Sequence, residues 1–243
     1  MRKLLLKIPK ITGPFRAFYN LYFGENELAF IRKFLKDSNT QYIFFDIGAN
    51  YGIYTFLFGR NAHHTFIMEP VSECIEYIKS GYRFNNATFI NKAASNKNKE
   101  INLNIPKINS KLVFGKSSVE NKFKHFETRV VKGITIDSFF SIVNSFNSKK
   151  LFIKVDVEGY ENKVIDGALN ILSSFDAILL IEIEKRHNTD YLYVFSCLKD
   201  MNYQVFCLEN KSLKELFNES DIENAMHETN NFIFKNYLNS LLI

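Results

Sequence analysis

The sequence predicts an α/β chain: a doubly wound, mainly parallel sheet carrying a β-hairpin insertion. Three observations predict it. Short β-branched and aromatic runs alternate with helical stripes along most of the chain, the pattern of strands joined by crossover helices. Two runs, LFIKVD (151–156) and AILLIEI (177–183), are apolar throughout, as central strands covered on both faces require. The stretch FFDIGANYG (44–52) ends an apolar run in an acid and two spaced glycines, a strand feeding a tight turn into a helix.

In chain order, Leu28, Ile31 and Leu35 recur at helical spacing before the first strand at about 42–46. A helix opens near Gly52, and HTFIME follows as a second strand that Pro70 prevents from running on. Ser72 is placed to cap a helix reaching about Arg83, and a third strand near 88–91 leads into Ala93, Ala94 and Ser95. Residues 98–136 change character: KEINLNI, KLVF and ETRVVKGITI read as hairpins inserted between core units. Helix returns near Ser138–Val143. Between the two central strands, Val164, Ile165, Ala168 and Leu172 share one stripe of a helix over 160–172. A helix near 190–200, the strand YQVFCL, a helix near 212–218 and the strand NFIFK complete the pattern.

A chain of 243 residues suits one large domain, over 42–243 with its insertion at about 98–136, preceded by a basic, helical segment over 1–41 packed on the core. Charges interrupt every apolar run before it could span a bilayer, and MRKLLLKIPK is too short in its apolar part for a signal peptide. Cys74, Cys197 and Cys207 show no metal spacing and cannot all pair, which suits a reducing cytoplasm. The net charge of +5 is concentrated in residues 1–36, where Arg2, Lys3, Lys7, Lys10, Arg16, Arg32, Lys33 and Lys36 face only Glu25 and Glu27. Such an arm suits peripheral contact with the inner face of an anionic membrane, or with an acidic glycan. The commoner arrangement is a helix over the sheet with solvated lysines.

Ligands of open α/β sheets bind beyond the carboxyl ends of the strands, and those ends are acidic here. Asp46 ends the first strand and Glu69 the second, 23 residues later, close to the spacing at which an acid bonds ribose hydroxyls. The glycine spacing is DxGxxxG, not the GxGxxG of dinucleotide folds, which points to S-adenosylmethionine (SAM) before NAD. Ala94 leaves room for a flat base, though a plain turn explains it equally. IKVDVEGYENKVIDGA (153–168) crowds Asp156 and Glu158 at a central strand end. Acids so close repel unless a proton transfer or cation uses them. One of them can deprotonate a substrate hydroxyl; they can steady a positive sulfonium; or Asp156 and Glu158 with Glu182 or Glu184 can hold a divalent metal. His187, on the loop after AILLIEI, has the pKa range of a general base, against the commoner reading of a simply exposed histidine.

These motifs resemble the FkbM family of SAM-dependent methyltransferases. The matching stretches run in order: FFDIGANYGIYT, FIMEP, FINKAAS, GITIDSFF, FIKVDVEGYENKVIDGA, ILLIEI and NNFIF, over roughly 42–235. The resemblance implies the class I methyltransferase sheet, Rossmann-like and seven-stranded with an antiparallel last strand. It also implies O-methylation of a hydroxyl on a sugar, surface glycan, lipid-linked saccharide or related natural product. Cofactor roles fall on Asp46, Gly48, Asn50, Gly52 and Glu69, with Asp156 and Glu158 at the methyl-transfer region. Glu184 departs from the family pattern, which often has histidine there, so Glu184 or His187 must substitute.

Three rivals were weighed. A nicotinamide oxidoreductase shares the Glu69 device but would need GxGxxG. A nucleic-acid methyltransferase is disfavoured because DVEG replaces the usual Asn/Asp-Pro-Pro-Tyr run and the positive charge stays in the arm. A non-catalytic glycan-binding protein would keep the fold without turning SAM over. The lysines of the insertion (107, 111, 116, 122, 124) with Arg129 further suggest a phosphorylated or acidic sugar as acceptor.

Overall fold

A computed structural model describes residues 13–15, 17–19, 26–37, 41–83, 85–114, 117–119, 124–146 and 150–236. Arg2, Lys3, Lys7, Lys10 and Arg16 of the basic arm lie outside the described residues, as do Lys116 and Lys122 of the insertion. Of the arm's described part, Gly13 and Ala17 are buried while Phe15, Phe18 and Tyr19 are exposed. Helix α1 (Asn26–Asp37) then sinks Leu28 and Ile31 into the core. No helix among the described residues is long and apolar enough to cross a membrane.

The main sheet contains β1 (Ile43–Ile47), β2 (His64–Met68), β3 (Ala87–Ile90), β8 (Lys150–Val155), β9 (Asp176–Glu182), β10 (Tyr203–Glu209), β11 (Ser212–Glu215) and β12 (Asn231–Asn236). Their spatial order is β3-β2-β1-β8-β9-β12-β10-β11. Strands β3 through β9 run parallel, and β12 enters antiparallel between β9 and β10. This is the class I methyltransferase order with one strand added at the edge.

That edge strand corrects the sequence expectation of seven strands and of a helix near 212–218. Asn210 and Lys211 both take positive φ, 51° and 65°, and Glu209 pairs with Ser212. Two left-handed residues in a two-residue loop make the hairpin turn whose twist matches the flanking strands, and it overrides the helical preference of Leu, Lys and Glu. The helix expected over 160–172 also divides, into α5 (Glu161–Asp166) and α6 (Leu169–Ser174). At the break, a Cβ on Gly167 would collide with the backbone carbonyl of Ser95, so only glycine permits that approach.

Both faces of the sheet are covered. Ile43, Phe45 and Ile47 of β1 join one core cluster, Phe44 the opposite one with Phe58, Phe152 and Leu180. This period-two alternation places Asp46 on the Phe44 face, toward α2 (Ile53–Phe58). The insertion forms a second sheet, β4-β7-β5-β6, from β4 (Ala93–Ala94), β5 (Glu100–Ile108), β6 (Lys111–Leu112) and β7 (Phe126–Ile134). Its long antiparallel ladder β5–β7 is tied to the core because β4 pairs parallel with β7. Helix α3 (Ser72–Gly81) packs beneath it, with Val71 and Cys74 against Leu103 and Ile105.

Candidate active site

The turn after β1 holds three left-handed residues, Gly48 (φ 75°), Asn50 (φ 50°) and Gly52 (φ 77°). The amides of Gly48 and Ala49 both donate to the Met68 carbonyl, at 2.9 and 3.1 Å, drawing the turn against the end of β2. A Cβ on Gly48 would overlap the Asp156 carbonyl, so this glycine permits the ends of β1 and β8 to meet. The Asp156 amide donates to Ile47 O at 3.0 Å, locking the same junction.

Glu69 is buried at the end of β2. Its Oε2 accepts from the Asn50 amide and its Oε1 from the Val71 amide, each at 2.8 Å. Burial nevertheless dominates and raises its pKa to about 7, with Asp156 and Asp46 adding repulsion. Gly48, Asn50, Met68, Glu69, Ala93 and Ala94 form one wall of an open cleft; Asp156, Val157, Glu158 and Tyr160 form another. Leu103, Phe114, Ser117 and Val119 of the insertion close it from above.

A smaller hollow adjoins this cleft and shares Asp156 and Glu158 with it; Gly159, Glu161, Glu182, Glu184 and His187 complete its lining. His187 Nδ1 lies 2.9 Å from Glu158 Oε2 and 3.3 Å from Glu184 Oε2. Two carboxylates converging on one ring nitrogen fix the proton there and make Nε2 the basic nitrogen. Glu158 itself is a left-handed non-glycine residue, φ 53°. Glu161 is fully buried, accepting from the Gly159 amide at 2.7 Å and from Asn188 Nδ2 at 3.0 Å, and burial raises its pKa.

The structure brings Gly48, Asn50, Glu69, Ala94, Asp156 and Glu158 to one cleft and places His187 directly behind Glu158. It does not bring Asp46 and Gly52 there. Asp46, 2% exposed, turns to the other sheet face, accepts a short hydrogen bond from the Thr55 hydroxyl and sits beside Lys154, its cross-strand neighbour. A Cβ on Gly52 would face Ile78 of α3. The three metal candidates line the smaller hollow together, yet no group of three acidic, histidine or cysteine side chains among the described residues could hold an ion. Glu182 instead lies 3.7 Å from the Lys154 ammonium. Tyr160, Leu103, Phe114, Ser117 and Val119 line the cleft without having been singled out in the sequence; only the position of Tyr160 inside DVEGYE hinted at a role. The acidic-acceptor expectation loses support from Lys107 and Arg129, which pair with Glu127 and Glu73.

Burial raises the Asp46 carboxyl to about pH 6, opposed by Thr55 and Lys154. Asp46 and Glu69 therefore bind protons more tightly folded than unfolded. Their stabilising contribution is complete below about pH 4 and fades as pH rises through 6 and 7. Asp46→Ala is expected to cost about 3 kcal/mol, by stranding buried polar groups of Thr55 and Lys154. Asp46→Asn should cost less, flatten the fall in melting temperature from pH 4 to 7, and leave binding of S-adenosylhomocysteine (SAH) within about threefold, since a neutral isostere keeps its hydrogen-bonding shape. Thermal melts across pH, with calorimetry on the variants, check both.

The sheet order, with an open cleft between a strand-end acid and a glycine turn, defines the class I methyltransferase architecture. Within that class, the sequence model of the Methyltransferase FkbM domain matches residues 46–205, and the chain belongs to this family of SAM-dependent methyltransferases. Among solved structures, it is similar to methyltransferase FkbM from Methylobacillus flagellatus KT at 12% identity and a TM-score of 0.45. That match covers 96% of this chain and 57% of the other, so the chain spans a little over half its relative's length. It is also similar to precorrin-6y C5,15-methyltransferase from Geobacter metallireducens (10% identity, TM-score 0.38, covering 86% and 85%). An rRNA methylase from Streptococcus thermophilus matches at 9% identity and a TM-score of 0.40, covering 84% and 91%. No curated protein matches the chain.

Proposed function

We propose that this protein is a SAM-dependent O-methyltransferase acting on a hydroxyl of a sugar, glycan or related natural product. One observation carries the reading: a wall suited to a nucleoside and a carboxylate–imidazole cluster line two hollows that share Asp156 and Glu158. The donor set fits the cofactor. Glu69 presents two carboxylate oxygens, fixed by two backbone amides, to a diol, and Met68, Ala94, Leu103 and Phe114 offer apolar surface to a flat base. The cofactor supplies, when bound, a methyl group on a positive sulfur.

Everything else falls to the chain. Sugar hydroxyls are weak acids, so the oxygen must lose its proton as it attacks. Asp156 and Glu158 accept hydrogen bonds from the acceptor at the junction of the two hollows. His187 takes the proton at Nε2, and Glu158 and Glu184 stabilise the imidazolium through Nδ1–H. The inserted loop excludes water from the junction, which strengthens these interactions.

The test is transfer of labelled methyl from SAM to a panel of neutral, amino and phosphorylated saccharides, with SAH calorimetry in parallel. His187→Ala should bind SAH like wild type and lower kcat about 100- to 10,000-fold, the usual contribution of a general base. An unchanged kcat in His187→Ala would remove the base assignment; transfer to no hydroxyl acceptor, with SAH bound, would remove the acceptor class.

A further inference from the structure

The loop that closes the cleft does more than cover it. Ser118, 2% exposed, sits at the centre of that loop and is fixed by β5: Asn104 N donates to Ser118 O at 2.8 Å and Ser118 N to Asn104 O at 3.0 Å. From this anchored position the Ser118 hydroxyl donates to the backbone carbonyl of Glu158 at 2.8 Å. Glu158 is the residue held at φ 53°, and Gly159 follows at φ 104°. A left-handed non-glycine residue persists only where its surroundings over-determine it. Two contacts that contribute here are the Ser118 bond on the Glu158 carbonyl and the His187 contact on its carboxylate.

We propose that Ser118 is a positioning residue for proton removal, holding Glu158 in the backbone conformation that aims its carboxylate at His187 Nδ1. This rests on the reading of His187 as the base. The insertion thereby couples closure of the cleft to assembly of the base: the loop contributing Phe114, Ser117 and Val119 to the cleft wall also fixes the residue orienting the imidazole. The donor wall at Glu69 lies on a different strand end and is held by the Asn50 and Val71 amides, so cofactor affinity is expected to be independent of Ser118.

Ser118→Ala and Ser118→Thr in the full chain test this. The imidazole of His187, assigned by the signal missing from His187→Gln, is followed by NMR, alongside SAH calorimetry and kinetics. In Ser118→Ala the His187 ring signals should shift as Glu158 relaxes, and kcat should fall about 10- to 100-fold, the scale of a small misplacement. SAH affinity and acceptor KM should stay within about twofold. Ser118→Thr, which keeps the hydroxyl, should restore the signals and most of kcat. Wild-type His187 signals and kcat in Ser118→Ala would overturn the proposal, as would equal losses in SAH affinity and kcat. If Ser118→Ala does not fold, Ser118→Val decides against Ser118→Thr, since the two differ in the hydroxyl: the same signals in both overturn the idea, and a shift confined to Ser118→Val upholds it. Failure of the wild type to transfer methyl groups would instead sink the parent reading, and the NMR comparison would still decide whether Ser118 governs the Glu158–His187 contact.

Discussion

Glu69→Ala is expected to weaken SAH binding by at least about 100-fold, because it removes the two charge-assisted acceptors proposed to hold a diol. Glu69→Gln, which keeps one carbonyl acceptor, should fall between the two. Protonation makes the same point without mutation. The Glu69 carboxyl is raised to about 7 by burial, and the anion is the form able to accept two hydroxyl hydrogens. Below that pH, binding must first expel a proton, so the dissociation constant for SAH should rise about tenfold from pH 8 to pH 6. In Glu69→Gln this dependence should vanish. Calorimetric titrations at four pH values read all of this. Tight, pH-independent binding by Glu69→Ala would mean that the cofactor lies elsewhere.

Gly48→Ala should produce the largest loss of stability among single substitutions at the turn. A methyl group there meets two penalties: a left-handed backbone at φ 75° and overlap with the Asp156 carbonyl. The first alone costs about 1–2 kcal/mol, and the second forces the ends of β1 and β8 apart. A total of about 3 kcal/mol would lower the melting temperature by about 10 °C in a domain of this size. Separating the strand ends also moves Asp156 and Glu158 away from Glu69, so SAH binding and turnover should fall together. A melting temperature within about 2 °C of wild type, with normal SAH binding, would show that the junction can open without cost.

Much of this arrangement was legible before any coordinates. Strands β1, β2, β8, β9 and β12 announce themselves as apolar runs because most of their residues are buried, while β10 buries alternate residues. Glu69, Asp156 and Glu158 were readable because strand ends gather function. Asp46 sits away from the cleft for a physical reason: side chains alternate along β1, and its carboxylate meets the Thr55 hydroxyl on the Phe44 face. Strand β11 was hidden because helix-forming residues follow a hairpin turn written as Asn-Lys in place of Asn-Gly. Phe114, Ser117, Ser118 and Val119 were invisible, since an irregular loop carries no period and its contacts with Glu158 and the cleft span a long stretch of chain.

The two-residue strand β4 has a dynamic consequence. Ala93 and Ala94 are at once the wall of the donor cleft and the parallel partner of Gly133 and Ile134 in the inserted sheet. A ligand pressed against those alanines would bear on the first pairs of the inserted sheet as well, so amide exchange along the β5–β7 ladder is expected to slow when SAH is bound.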